Sequence, residues 1–144
     1  MTIQLRPVLD SDLPTLYEHQ ADPVANQMAA FPARERDAFM QHWAKTLSNP
    51  SNRVLTILYD GQVAGTIMSF EMDGKREVGY WIGREYWGRG IATTALAQFL
   101  EIERARPLYG YVARHNTGSR RVLEKCGFQA LGEEKDDFIL VLEK

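Results

Sequence analysis

From Glu77 to Ile82 the chain alternates Val78, Tyr80 and Ile82 against Gly79 and Trp81. A side-chain period of two marks a strand. From Ile91 the period changes, and Ile91, Ala92, Ala95, Leu96, Phe99, Leu100 and Ile102 fall on one stripe at helical spacing. Between the two patterns lies Gly83-Arg84-Glu85-Tyr86-Trp87-Gly88-Arg89-Gly90. Its glycines permit backbone angles and close approaches that a side chain forbids. A glycine turn opening a helix can aim several N–H groups at one anion, with the positive end of the helix dipole behind them. The implied chemistry is phosphate or pyrophosphate binding, although glycines that merely let the chain leave a sheet give the same pattern.

The rest of the chain extends the picture. Ile3 to Arg6 reads as a first strand and Asp10 to Gln20 as a helix capped by Asp10 or Ser11. Arg34 to Leu47 carries Phe39, Met40, Trp43 and Leu47 at helical spacing, and Ala21 to Pro32, with Pro23 and Pro32, reads as irregular. Strand-like runs cover Val54 to Tyr59, Val63 to Met72 and Glu77 to Ile82, joined at the hairpin signals Asp60-Gly61 and Asp73-Gly74. The second half predicts a helix over Gly90 to Arg104, a strand over Leu108 to Val112 and a helix over Thr117 to Lys125. Strands near Phe128 to Gly132 and Phe138 to Leu142 follow, about a tight hairpin at Lys135-Asp136. An antiparallel meander leading into βαβ units implies an α/β fold, a mixed α+β sheet with helices on both faces.

Composition narrows the function classes. At 144 residues, 44% hydrophobic and 25% charged, residues 1–144 read as a single globular domain. A net charge of -2 offers no basic field for nucleic acid or an anionic membrane. Met1 to Leu9 lacks a basic segment followed by an apolar signal core, and no apolar run reaches membrane-spanning length. The lone Cys126 excludes an internal disulfide, and His19, His42 and His115 have no metal-ligand spacing. The expectation is a cytoplasmic protein without a metal. A P-loop is excluded because no Gly-Lys-Ser or Gly-Lys-Thr occurs. A dinucleotide fingerprint is excluded because its third glycine position holds Thr93.

Two segments together carry a family resemblance. Glu77-Val78-Gly79-Tyr80-Trp81-Ile82 followed by Tyr86-Trp87-Gly88-Arg89-Gly90-Ile91-Ala92-Thr93 resembles the acetyl-CoA-binding core of the GNAT N-acetyltransferase superfamily. Asn116-Thr117-Gly118-Ser119-Arg120-Arg121-Val122-Leu123-Glu124-Lys125-Cys126-Gly127-Phe128 resembles the matching segment of its Rim-like branch, known for acetylating N-termini of ribosomal proteins. The resemblance is close from Thr56 to Leu142 and rests on element order before that. It implies the GNAT acyl-CoA N-acyltransferase fold and acetyl-CoA as co-substrate. Backbone of Trp81, Ile82 and Gly83 would then pair with the pantetheine arm. Trp87, Gly88, Arg89, Gly90, Ile91, Ala92 and Thr93 would hold the pyrophosphate, with Asn116 further along and Arg89 and Arg121 as phosphate partners. Trp87 departs from the polar residue that opens the family's turn motif.

Direct transfer to an amine needs the reactants held together and the amine deprotonated. Glu77, at the start of the central strand, is the candidate base, against a plain solvated glutamate. Ser119 matches the family serine suggested to donate to the leaving thiolate, against a local structural hydrogen bond. Leu123 stands where many members carry a tyrosine. His115 and Cys126 are set down as a loop histidine and a core thiol. Phe31, Pro32, Phe39 and Trp43 are expected to shape the acceptor side, where Asp22 and Glu35 can attract a cation. The sequence thus predicts transfer of acetyl from acetyl-CoA to a primary amine of a small molecule or a protein N-terminus. A homodimer is left open. One rival is a non-catalytic acyl-CoA-binding or sensing module; another is a different nucleotide-binding α/β protein.

Overall fold

The computed structural model describes residues 2–144; Met1 lies outside the described residues. Seven strands, β1 (Ile3–Pro7), β2 (Arg53–Tyr59), β3 (Gln62–Met72), β4 (Lys75–Ile82), β5 (Leu108–Ala113), β6 (Gln129–Glu134) and β7 (Asp137–Leu142), form one sheet in the order β1-β2-β3-β4-β5-β7-β6. β1 to β4 are antiparallel, β4 and β5 are parallel, and β7 inserts antiparallel between β5 and β6. A parallel step requires a crossover, and α4 (Ile91–Ile102) supplies it.

The alternation along the strands sends one set of side chains to each face. Ile57, Ile67, Val78, Leu108 and Leu140 pack with Ile91, Ala95, Leu96 and Phe99 of α4 and Leu123 of α5 (Thr117–Lys125). On the opposite face Leu16 of α1 (Leu13–Ala21) joins Phe39 and Trp43 of α3 (Arg36–Ser48) over Val54, Val63 and Met68. Phe39 and Trp43 are each 1% exposed, so they are core residues and do not shape an acceptor surface as expected.

Two expectations change. The first helix begins at Leu13 after a 3-10 turn over Asp10–Asp12, and neither Asp10 nor Ser11 caps it. Instead Asp12 turns inward, accepting from the Leu9 N–H at 2.9 Å, from Thr56 Oγ1 at 2.8 Å and from Arg6 at 2.7 Å. The segment Ala21 to Pro32 is not irregular but holds α2 (Pro23–Ala29). Asp22 caps it, accepting from the Val24 N–H at 3.0 Å. Pro23 sits at the helix start, where its missing N–H costs nothing. The helix stops at Ala30, which is left-handed at φ 52°.

Candidate active site

The parallel pairing of β4 with β5 ends early. Arg76 pairs with Leu108 and Glu77 with Tyr109, and beyond that register the strands diverge. The Gly83 N–H donates to the Ala64 carbonyl at 2.9 Å, in register with the Gly65–Ile82 pair. Antiparallel alternation therefore turns the main-chain groups of Trp81 and Gly83 toward β3 and those of Tyr80 and Ile82 toward the gap. Of the three residues expected to pair with a pantetheine arm, Ile82 presents its backbone there, whereas Trp81 and Gly83 are committed to the sheet. The Ile82 carbonyl already accepts from Trp87 Nε1 at 2.9 Å. That bond explains the tryptophan in the turn: its indole covers a carbonyl that the splayed strands leave unpaired.

The gap opens into a cavity of about 410 Å³, within the ordinary size of a small-molecule site. Its walls include Tyr80, Trp81 and Ile82 of β4, the turn from Tyr86 to Thr93 without Arg89, and His115 to Ser119. Gly88 and Gly90 have φ of 77° and 74°, left-handed angles that favour glycine. Among the described residues no side chain caps the first turn of α4. The N–H groups of Ile91, Ala92 and Thr93 are thus free of helical partners at the cavity wall. An anion is the natural partner for such an end.

The two arginines stand elsewhere. The Arg89 guanidinium lies over the Tyr59 ring, 5.6 Å from its centre, on a separate surface with Glu85. Arg121 is exposed on α5 and outside the cavity wall. Asn116 does line the cavity; its Oδ1 accepts from the Ser119 N–H at 3.2 Å and caps α5, which leaves its amide N–H groups for a ligand.

Ser119 and Glu77 are also far apart in setting. Ser119 lines the cavity with its Oγ 2.6 Å from Tyr80 Oη. Glu77 is half-buried near the start of β4, opposite Phe70, and outside the cavity wall. Burial raises its pKa first, with Asp73 and Glu134 adding to the rise and Lys75 opposing it. Trp81, on the same side of the strand, is four residues on, roughly 13 Å along it. Glu77 therefore does not touch the cavity.

The flanking residues fall into place. His115 Nε2 donates to the Gln27 carbonyl at 2.8 Å, tying α2 across the mouth of the cavity, where Ala25, Met28 and Ala29 form a wall. Asp22 is occupied by its cap and by Arg84 at 2.8 Å, and Glu35 is exposed at the start of α3. Phe31 meets Trp81 edge-on at 5.9 Å. Cys126 is a half-buried thiol beside the Thr93 carbonyl, and burial pushes its pKa up, away from the thiolate a nucleophile needs. Leu123 is 2% exposed and packs in the core. Sequence reasoning missed the α2 wall, for which Asp22-Pro23 was an available helix-start signal, and Tyr80, which nothing in the strand pattern distinguishes from its core neighbours.

The profile of the family described as "Acetyltransferase (GNAT) domain" matches residues 2–129. The chain belongs to the GNAT acetyltransferase family. This GNAT domain is 32% identical over 109 residues to YdaF of Bacillus subtilis (strain 168), named provisionally as a ribosomal N-acetyltransferase. That similarity covers 70% of the chain and 59% of the relative, so the GNAT domain spans under two thirds of that protein's length. An acetyltransferase from Thermus thermophilus superposes with a TM-score of 0.85 at 18% identity, covering 100% of this chain and 98% of that one. The spermidine N-acetyltransferase from Vibrio cholerae, solved with CoA and spermine, gives 0.81 at 18% identity, covering 96% and 92%. These likenesses establish the GNAT fold. Among the described residues no helix is long and apolar enough to cross a membrane, and no group of three or more His, Cys, Asp or Glu side chains is placed to hold a metal ion.

Proposed function

We propose that the chain is an acetyl-CoA-dependent N-acetyltransferase whose acceptor is a primary amine, on a small molecule or a protein N-terminus. The observation that carries this reading is the splay of β4 from β5 directly before the uncapped start of α4. An extended amide-bearing arm can continue the sheet at Ile82 as an added strand would. An attached pyrophosphate then meets the N–H groups of Ile91, Ala92 and Thr93. Asn116 donates further along, and Met28 and the indole of Trp87 cover the apolar parts. The CoA complex of the Vibrio cholerae relative supports the same ligand class, and the family match supports acetyl transfer.

The co-substrate supplies an activated acyl carbon; the chain's residues hold it and exclude water. Positioning contributes most, because amine attack on a thioester needs little beyond proximity and a neutral nucleophile. Glu77, through water, is the base that takes the ammonium proton, and its raised pKa suits that role better than an ordinary carboxylate's. Its distance from the cavity also favours the rival reading, a module that binds acyl-CoA without turning it over.

Calorimetric titration with acetyl-CoA, with NAD and ATP as controls, tests the ligand. Selective micromolar binding is expected, and preference for NAD or ATP overturns the reading. An amine and peptide panel scored by CoA release then separates enzyme from sensor. Binding with no release on any acceptor, and with affinity indifferent to Glu77→Gln, supports the sensor.

A further inference from the structure

Ser119 is held at three points. Its N–H donates to Asn116 Oδ1 at 3.2 Å, and its carbonyl and its hydroxyl both face Tyr80 Oη, at 3.2 Å and 2.6 Å. Tyr80 and Ser119 come from different elements, β4 and α5, and both line the cavity. Burial pushes the Tyr80 phenol up to about 12, so it stays protonated and remains a donor across the working pH range. A phenol carries one proton. That proton serves either the carbonyl at 3.2 Å, with the serine hydroxyl then donating to the phenol, or the hydroxyl at 2.6 Å. When the phenol donates there, the serine O–H has no other protein acceptor among the described residues, and cavity lies in front of it.

We propose that Tyr80 is a positioning residue for acyl transfer: its phenol holds the Ser119 hydroxyl so that the serine proton points into the cavity, at the leaving sulfur. This deepens the acetyltransferase reading and rests on it. In the transfer the amine nitrogen forms a bond to the acyl carbon, the carbon–sulfur bond breaks, and its electron pair stays on sulfur. The amine's surplus proton passes to water or to Glu77. The nascent thiolate accepts a hydrogen bond from Ser119, which itself accepts from Tyr80. Neither side chain changes its protonation state, so the pair needs no recharging between turnovers. A hydrogen bond to a charged acceptor is among the stronger ones, and a chain of two polarises further.

The test needs no acceptor amine. CoA is bound to the wild-type protein and its thiol is titrated by the ultraviolet absorbance of the thiolate. The same is done with Tyr80→Phe, Ser119→Ala and the double variant. A hydroxyl aimed at sulfur stabilises the thiolate and lowers the thiol pKa. Ser119→Ala should raise that pKa by about one unit, a tenfold change in thiolate stability. Tyr80→Phe should raise it by roughly half as much, because the serine hydroxyl is then free to turn away. The double variant should match Ser119→Ala, since the phenol acts only through the serine. A purely structural Tyr80 would lower stability and leave the thiol pKa of bound CoA unmoved, and that result overturns the proposal. If Tyr80→Phe does not fold, Ser119→Ala still decides, because an unshifted pKa leaves Tyr80 nothing to position. Failure of wild-type protein to bind CoA by calorimetry removes the acetyltransferase reading as well, whereas normal CoA affinity with unshifted pKa values removes the role of Tyr80 alone.

Discussion

The two ends of β4 obey the same strand geometry and are treated in opposite ways. At its start, Arg76 pairs in register with Leu108, and its guanidinium is fully engaged. Nε donates to Glu103 at 3.0 Å, Nη2 to Ser69 Oγ at 2.9 Å and Nη1 to the Ser51 carbonyl at 2.6 Å. Ser69 also donates to Glu103, whose other oxygen accepts from the Ala105 N–H at 3.3 Å. At the other end, beyond Glu77, no strand among the described residues pairs with the side of β4 that faces β5. There the indole of Trp87 is the side chain that meets an Ile82 main-chain group. The protein spends its buried polar chemistry at the closed end on itself. At the open end it leaves main-chain groups and the first turn of α4 available. Unpaired backbone beside a cavity is unfavourable in a pure scaffold, and here it coincides with the place where a ligand fits.

The largest effect should come from breaking the closed end. Burial pushes Glu103 up, but the bonds from Ser69, the Ala105 N–H and Arg76 outweigh it and hold the carboxyl below its ordinary value. Glu103→Ala takes the nearer carboxylate from the Arg76 side chain, 14% exposed, and leaves it the more exposed Glu71 at 3.6 Å. It should cost about 3 kcal/mol of stability in urea unfolding. In the surviving folded protein acetyl-CoA affinity should be unchanged; a matching loss of affinity would mean the two ends are coupled.

A second closed cluster, Arg6, Asp12 and Thr56, should show in acid. The bonds from Arg6 hold the Asp12 carboxyl at about 2, against burial, with Leu9 and Thr56 adding to the effect. Its folded pKa is below the unfolded one, so its stabilisation is complete above about pH 4 and is lost as pH falls toward 2. The contribution is about 2 kcal/mol. Asp12→Asn should flatten this part of the stability–pH curve, and an unaltered acid limb would refute the assignment.

The open end should respond in the reverse sense, more in binding than in stability. Gly90→Ala meets no atom within 4 Å but strains a left-handed residue at φ 74°, at a cost of about 1 kcal/mol. Because that residue sets the direction of the α4 N–H groups, acetyl-CoA binding should weaken roughly tenfold, the equivalent of about 1.4 kcal/mol. A stability loss without an affinity loss would detach the turn from the ligand. Smallest of all, Trp87→Phe removes the donor to Ile82 at a residue 38% exposed. It should change stability by less than about 1 kcal/mol without weakening acetyl-CoA, because a ligand amide takes over the carbonyl. Marked loss of affinity would mean that the ligand depends on the indole N–H and not only on the apolar cover that a phenyl ring keeps.

Much of this protein was legible as pattern. The switch from period two at Glu77–Ile82 to period 3.6 after Ile91 placed β4 and α4, and the helix read over Thr117 to Lys125 is α5 residue for residue. The family followed from two local motifs, and the domain profile agrees with it. Such features are local: hydrophobic spacing, turn glycines and helix caps act within a few residues.

What depended on tertiary structure involved residues distant in sequence. Asp12 precedes α1 yet gives it no side-chain cap, because its carboxylate is taken by the Leu9 N–H, Arg6 and Thr56. Phe39 and Trp43 left the expected acceptor side for the core once Leu16 was packed beside them. Arg89 sits in the glycine turn, yet its guanidinium rests on Tyr59. Tyr80 reads as one more apolar residue on a strand until α5 folds over it and sets Ser119 against its hydroxyl. The chain by itself determined which elements form and which backbone turn opens α4, because period and propensity are properties of neighbours. Which polar atoms are satisfied and which are left for a ligand was decided only by the closed sheet, because that depends on what the rest of the chain brings within hydrogen-bonding distance.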